Sequence, residues 1–235
     1  MLRTIRDGIF LLGLTVMMVA VFVGSAQGAF PGKPGPLVYP RVSFDESADV
    51  GGLVLHGPRQ RQKPHQLTTS SGDDTPSFSA DGRFVAFAGN YEAGTPLPPG
   101  RHIYVVNVDG SGLRQLTNAD FNDSEPVYMP NGKRIVFVSN RAAGINIFVA
   151  GANGRHVRQL THNKRDCFSG NCNLSPAWSP DGRHIAFLAV GRFSSDLEVM
   201  RADGRGEKEF SNGSTEEEGF GTAVGAPSWG PAAGT

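Results

Sequence analysis

The sequence predicts an all-β fold built from four-stranded antiparallel units, and three observations support this prediction. A phrase of proline, an aromatic residue and an Asp-Gly or Asn-Gly turn begins at Pro76, Pro126 and Pro176. Its opening returns at Pro227, so the intervals are 50, 50 and 51 residues. Short apolar runs separated by turn residues follow each phrase, which is typical of strands. Because such units cannot bury their faces alone, we expect them to pack radially as a β-propeller.

The copy at residues 126–161 shows the expected elements most clearly. It contains a short strand with a central aromatic residue, a tight-turn dipeptide, a continuous apolar strand, a half-buried strand and a more polar outermost strand. In order, these elements are residues 126–128, 131–132, 134–138, 145–149 and 157–161. Matching patterns predict units over residues 76–117 and 176–210.

The two ends of the repeated region predict one shared unit. Residues 37–68 match the second, third and fourth strands of a unit that lacks its first strand. Residues 226–229 match a first strand alone. Joining them would give a fourth blade and a closed ring without an exposed strand edge. The alternative is a fragment of a larger propeller.

The first 28 residues have the layout of a secretory signal peptide. Two arginines precede an apolar run over residues 9–23, and small residues follow before Ala29. This run of 15 residues is short of the ~20 needed to span a bilayer, although an uncleaved anchor is the alternative. We therefore predict a cleaved signal at 1–28, a linker at 29–36 and an exported propeller at 37–235, periplasmic or extracellular and without a membrane segment after cleavage.

Two cysteines, Cys167 and Cys172, lie in one loop between predicted strands. In an oxidising compartment, two cysteines this close are expected to form a disulfide. The small ring would add only about 2 kcal/mol in the chain-entropy model, so it would stiffen a loop rather than hold the fold. A metal pair is the alternative, but the sequence offers no second pair.

Composition and motifs argue against several classes of function. The chain has 22 basic and 22 acidic residues, so it lacks the charge excess of a nucleic-acid-binding protein. The sequence contains no Gly-x-Ser-x-Gly elbow, no phosphate-binding loop and no His-Glu-x-x-His motif. We therefore predict no catalytic residue, no metal and no cofactor.

Polar residues precede the predicted innermost strands of the units. Loops in this position open on one face of a propeller near its axis, so they could form a binding mouth, either a cation site or a collar for a basic peptide. The alternative is that they cap turns, as Asp and Asn commonly do. The residues of this candidate mouth are Asp73, Asp74, Asp123, Glu125, Asn171 and Glu217.

An aromatic residue stands at the same position of each repeated phrase. We predict that these residues pack between neighbouring units and do not form a ligand cage. They are Phe78, Tyr128, Trp178 and Trp229.

The phrases at 176–187, 103–117 and 158–161 resemble the repeat of the TolB-like propellers, also called PD40 or WD40-like β-propeller repeats. Weaker copies extend the resemblance over about residues 37–230. The resemblance implies an exported, non-catalytic propeller of the cell envelope or extracellular space that binds a protein or peptide on one face. Two alternatives are a propeller-type polysaccharide lyase or hydrolase acting at the channel mouth, and a truncated remnant of a larger protein.

Overall fold

The computed structural model describes nine parts of the chain, and these contain strands and turns but no helix. They are residues 35–41, 51–58, 63–90, 100–118, 121–164, 172–191, 195–206, 208–211 and 226–230. Within these ranges, accordingly, there is no helix that is long and apolar enough to cross a membrane.

The described strands form four antiparallel sheets that follow one another along the chain. The first sheet contains β1 (Leu37–Arg41), β2 (Gly52–His56) and β3 (His65–Gln66). The second contains β4 (Asp74–Phe78), β5 (Phe84–Gly89), β6 (His102–Asn107) and β7 (Arg114–Gln115). The third contains β8 (Asp123–Tyr128), β9 (Arg134–Ser139), β10 (Asn146–Gly151) and β11 (Arg158–Gln159). The fourth contains β12 (Cys172–Trp178), β13 (His184–Val190), β14 (Ser195–Arg201) and β15 (Lys208–Ser211).

The sheets pack face to face through three apolar clusters. Side chains alternate between the two faces of a strand, so the middle strands of a sheet serve both of its neighbours. In β5, Val85 and Phe87 pack with the first sheet, whereas Ala86 packs with the third. Val136 of β9 packs in turn with Ile185 of the fourth sheet. The prediction of an all-β propeller with continuous apolar second strands is thereby confirmed.

The innermost strands begin earlier than the sequence indicated. Asp74 and Asp123, which we expected in loops, are the first residues of β4 and β8. A bulge explains the difference, because the register between β8 and β9 shifts between Ser124 and Val127 and pairing resumes on its far side. The same shift occurs between β4 and β5, and between β12 and β13.

In the first three sheets, the repeated Gln-Leu-Thr phrase fastens the outermost strand to the strand beside it. The hydroxyl oxygen of Thr161 accepts a hydrogen bond of 2.9 Å from the buried N–H of Ile147. The side-chain amide of Gln159 donates to the carbonyl of Thr161 at 2.7 Å. Thr68 and Thr117 make the equivalent bonds at 2.9 and 3.0 Å. A two-residue strand thus remains attached where the backbone ladder ends.

We expect Thr161→Val to lower the free energy of unfolding by about 1–3 kcal/mol, because it leaves the buried N–H of Ile147 without its acceptor. Urea titration followed by circular dichroism measures this. Val157→Thr is a matched control, since Val157 lies near the same outer strand but is 38% exposed. Equal stability of Thr161→Val and the wild type would show that the hydroxyl does not hold the strand.

The segment 226–230 lies against the fourth sheet. The indole N–H of Trp229 donates to the carbonyl of Ala177 in β12 at 3.0 Å. Trp178 makes the equivalent bond of 3.2 Å to Val127 of β8. The terminal segment therefore contacts the fourth sheet as an innermost strand contacts the sheet before it.

Closure of the ring is not confirmed by the described part of the chain. Residues 226–230 form no strand there, and β1 pairs only with β2. None of the described strands of the fourth sheet contacts β1, β2 or β3. The described sheets thus form an open series, which is compatible with our alternative of a fragment of a larger propeller.

Candidate functional site

Three innermost strands share an unusual backbone conformation at one end. Thr75, Glu125 and Ser175 have φ angles of 48°, 51° and 52°, and each directly precedes the proline of its repeat. This left-handed region is unfavourable for residues other than glycine, at a cost of about 1–3 kcal/mol each. Each residue lies within the bulge of its strand, so the strain occurs at equivalent positions of three sheets.

Side chains from these three sheets meet at the same end, and we call Asp74, Arg101, Glu125 and Ser175 the inner-strand cluster. Arg101 forms an ion pair with Asp74, whose Oδ1 also accepts a bond of 3.1 Å from the Thr75 hydroxyl. The Glu125 carboxylate accepts a hydrogen bond of 2.5 Å from the backbone N–H of Ser175. The Glu125–Ser175 bond therefore joins the third and fourth sheets, and Asp74 and Arg101 of the second sheet act electrostatically on the Glu125 carboxylate.

The Glu125 side chain lies in a desolvated position. Burial raises its pKa above the ordinary value, and the Asp74 carboxylate adds repulsion in the same direction. The bonds from Ser175 and the charge of Arg101 act in the opposite direction but do not cancel the effect of burial. Because the fold favours the neutral form of Glu125, its contribution to stability is fully present below its ordinary pKa and is lost as the pH rises through the raised value.

We expect Glu125→Gln to flatten the fall in stability as the pH rises above about 4.5, the ordinary pKa of a glutamate. Glutamine keeps an oxygen that can accept from Ser175, so the fold is retained. Urea midpoints measured across this pH range provide the test. In the control Asp181→Asn, any change should lie at the acidic end, because hydrogen bonds from Ser179 and Arg183 lower the pKa of Asp181. An unchanged slope in Glu125→Gln would contradict the assignment.

Asp123 has a structural position next to the inner-strand cluster. Its Oδ2 accepts a bond of 2.6 Å from Arg141, and its side chain is only 1% exposed. The Arg141 guanidinium also lies 5.1 Å from the ring centre of Phe137 and 5.4 Å from that of Phe148. Asp123 Oδ1 is buried without a hydrogen bond from the described residues. Its contacts tie Asp123 to the apolar core.

The structure brings together two of the six residues predicted for the binding mouth, Asp74 and Glu125. Asp73 and Asp123 are buried, at 2% and 0% exposure. Asn171 and Glu217 lie outside the described residues. The sequence did not identify Arg101, because it follows the proline-rich stretch rather than a repeated phrase. The mouth as a whole thus stays a prediction.

The predicted disulfide also falls partly outside the described part of the chain. Cys172 is the first residue of β12 and is fully buried. Cys167 lies outside the described residues, so its pairing with Cys172 stays a prediction. Among the residues that the structure describes, His, Cys, Asp and Glu side chains form no group of three or more that could hold a metal ion.

The repeated aromatic residues lie at the interfaces between sheets. Tyr128 and Trp178 are buried, at 8% and 5% exposure, and belong to the clusters that join the second to the third and the third to the fourth sheet. Phe78 is half-buried against the cluster between the first and second sheets. Trp229 is also half-buried. These positions place each aromatic between its own sheet or segment and the sheet before it.

Antiparallel sheets of up to four strands that pack face to face in series are the blades of a β-propeller protein. The TolB beta propeller domain family, PD40, matches residues 74–233, which is more than half of the sequence. The chain belongs to this family.

Three proteins are similar to this chain in sequence or in fold. The Tol-Pal system protein TolB of Bordetella pertussis is 31% identical over 169 residues, covering 55% of this chain and 36% of that protein. A solved structure of a TolB-like protein from Agrobacterium tumefaciens has a TM-score of 0.64 at 19% identity, over 82% of this chain and 66% of that one. A puromycin hydrolase has a TM-score of 0.57 at 16% identity, over 85% and 32%, which shows the fold alone.

The chain spans less than half the length of the curated relatives named here and of others that it matches. Activities and partners of those whole proteins therefore do not transfer to this chain directly.

Proposed function

We propose that the chain is an exported, non-catalytic propeller that binds a protein or peptide partner at the inner-strand cluster. The observation that carries this proposal is the meeting of Asp74, Arg101, Glu125 and Ser175 from three successive sheets. Binding residues are commonly placed on the ends of elements that a rigid scaffold positions. Strained backbone at Thr75, Glu125 and Ser175 adds support, because such strain often marks ligand-binding positions.

The two carboxyl groups of the cluster favour a basic group on the partner. Two carboxylates, Asp74 and Glu125, face one guanidinium, Arg101. A lysine, an arginine or an amino terminus brought close to Glu125 would favour its ionised form and offset the effect of burial. The proposed partner segment is therefore a peptide with at least one positive charge.

Export and a protein partner rest on two further observations. Residues 1–28 have the charged start, apolar middle and small-residue exit of a signal peptide. The Bordetella pertussis relative is by its name a component of the Tol-Pal system. A protein partner in the cell envelope is the corresponding proposal for this chain.

Site-specific photocrosslinking in the native cells tests the proposal. A photoreactive residue at Ser124, beside the cluster, should give discrete crosslinked species. The same residue at the exposed Asn131, at the opposite end of β8, is the matched control and should not give them. We expect Glu125→Gln combined with Asp74→Asn to weaken the Ser124 crosslinks, because both carboxylates are removed. Equal crosslinking from Ser124 and Asn131 would contradict binding at this end, and turnover of a glycan or peptide panel by the purified chain would contradict a non-catalytic role.

A further inference from the structure

A cavity of about 250 Å³ lies between the second and third sheets, at the end opposite the inner-strand cluster. Ser79, Asp81 and Phe84 line it from the second sheet. Tyr128 lines it from the third sheet, and Arg114 of β7 contributes a guanidinium. The proposed function involves the inner-strand cluster and not this cavity. Binding to the cavity can therefore be tested separately.

The cavity exists because this interface carries a smaller residue than the next one. Met129 occupies the position equivalent to Ser79 in the following repeat. Its terminal methyl carbon lies 2.9 Å from the place where a Cβ on Gly182 would stand, so it fills the gap beside the next turn. For a Cβ placed on the equivalent Gly132, the nearest atom is the Cβ of Ala80, at a distance of 3.7 Å. The space that the Met129 side chain fills between the third and fourth sheets is therefore open between the second and third sheets.

Arg114 differs from its equivalents in the neighbouring sheets. His65 of β3 lies within hydrogen-bond distance of the Asp109 carbonyl, at 2.9 Å. Arg158 of β11 donates to the Asp203 carbonyl at 2.9 Å. Both contacts join an outermost strand to the turn of the next sheet. The described residues offer Arg114 no hydrogen bond and no ion pair, which leaves its guanidinium beside the cavity available to a ligand.

Opposite charges line the cavity without pairing with each other. Asp81 is ionised, because the Ser79 hydroxyl and the Arg83 amide donate to its carboxylate and lower its pKa. Its ion-pair contact among the described residues is an exposed one of 3.7 Å with Arg83. Burial raises the pKa of Tyr128 to about 12, and both Arg114 and Asp81 act on its hydroxyl electrostatically. The two charges therefore lie near the same hydroxyl group, with no described ion pair between them.

We propose that this cavity binds a small zwitterion of amino-acid size. Its carboxylate would meet Arg114, its ammonium group would meet Asp81, and its apolar side chain would lie against Phe84 and Ala152. A hydrogen bond between a guanidinium and a carboxylate is charge-assisted, so it is stronger than a hydrogen bond between neutral groups. The volume of about 250 Å³ is large enough for a single amino acid.

Three matched probes separate the charges of such a ligand. L-leucine carries both groups, 4-methylvalerate is the same molecule without the ammonium group, and isoamylamine is the same molecule without the carboxylate. Ligand-observed NMR titrations of the full chain at millimolar concentrations compare them. We expect saturable binding of L-leucine and at least about tenfold weaker binding of the other two probes, since each loses one charge-assisted contact.

Three variants test whether L-leucine binds in this cavity. Ser79→Met supplies the side chain that fills the next interface and should abolish L-leucine binding. Arg114→Gln removes the exposed guanidinium and should weaken binding about tenfold or more. Arg158→Gln changes the equivalent residue of the next sheet and should leave binding unchanged. Thermal melts check that each variant is folded, and because Arg114 is exposed its variant remains informative even if Ser79→Met unfolds.

Several results would overturn the proposal. One is the absence of saturable L-leucine binding by the wild-type chain. Another is equal or tighter binding of 4-methylvalerate, which would define a simple carboxylate site. The third is unchanged L-leucine binding by folded Ser79→Met or by Arg114→Gln, which would place the binding elsewhere.

Discussion

Trp178→Ala is expected to lower the free energy of unfolding by about 3–5 kcal/mol, the usual cost of deleting a buried aromatic side chain. Trp178 is 5% exposed and packs with Val136 and Ile147 of the third sheet and Ile185 of the fourth. Its truncation therefore opens a cavity between two sheets, in addition to removing the bond to Val127. Denaturant unfolding measures the effect.

Two controls separate the parts of this expected loss. Trp178→Phe keeps most of the apolar volume and removes the N–H that donates to Val127, so it should cost considerably less than Trp178→Ala. Trp229→Ala removes the equivalent indole from a half-buried position and should also cost less. A loss below about 1 kcal/mol for Trp178→Ala would show that Trp178 does not join the sheets.

Asp123→Ala is expected to cost about 3–5 kcal/mol, because it leaves the Arg141 guanidinium in a mostly buried position without its counter-ion. The ion pair has an N–O distance of 2.6 Å, and the Arg141 side chain is 16% exposed. The remaining contact of Arg141 with the Ser139 hydroxyl, at 3.0 Å, cannot neutralise the charge.

A double-mutant cycle tests whether the pair acts as a unit. Arg141→Met keeps apolar contact with Phe137 and Phe148 but removes the charge. The double variant Asp123→Ala/Arg141→Met should be more stable than the sum of the two single losses predicts, since neither charge is then left alone. Additive losses would contradict a buried ion pair.

Much of the fold could be predicted because the repeat encodes local interactions. The Asp81 and Asp181 turns, the apolar second strands and the Gln-Leu-Thr phrase each specify contacts within a short stretch of chain. The starts of the innermost strands could not be predicted, because pairing is interrupted by a bulge at Thr75 and Glu125 and resumes before it, at Asp74 and Ser124. A bulge of this kind depends on the neighbouring strand as well as on the local sequence.

The candidate site was predicted only in part. The acidic residues before the prolines were visible, but their roles differ with their partners. Asp123 is bound by Arg141, which lies in the loop after β9, whereas Asp74 is bound by Arg101 before β6. Neither arginine belongs to a repeated phrase that aligns it with its aspartate. Such pairings arise from tertiary packing, and periodicity along the sequence does not contain them.

Comparison of the full chain with a chain that ends at Gly225 tests the central claim that equivalent interfaces hold the sheets in series, with the terminal segment as the last member. Thermal unfolding and amide hydrogen exchange are the measurements. We expect the full chain to unfold cooperatively, and we expect loss of residues 226–235 to lower its melting temperature and to reduce protection in β12, where Trp229 contacts Ala177. Identical melting and identical protection of β12 in the two chains would contradict it.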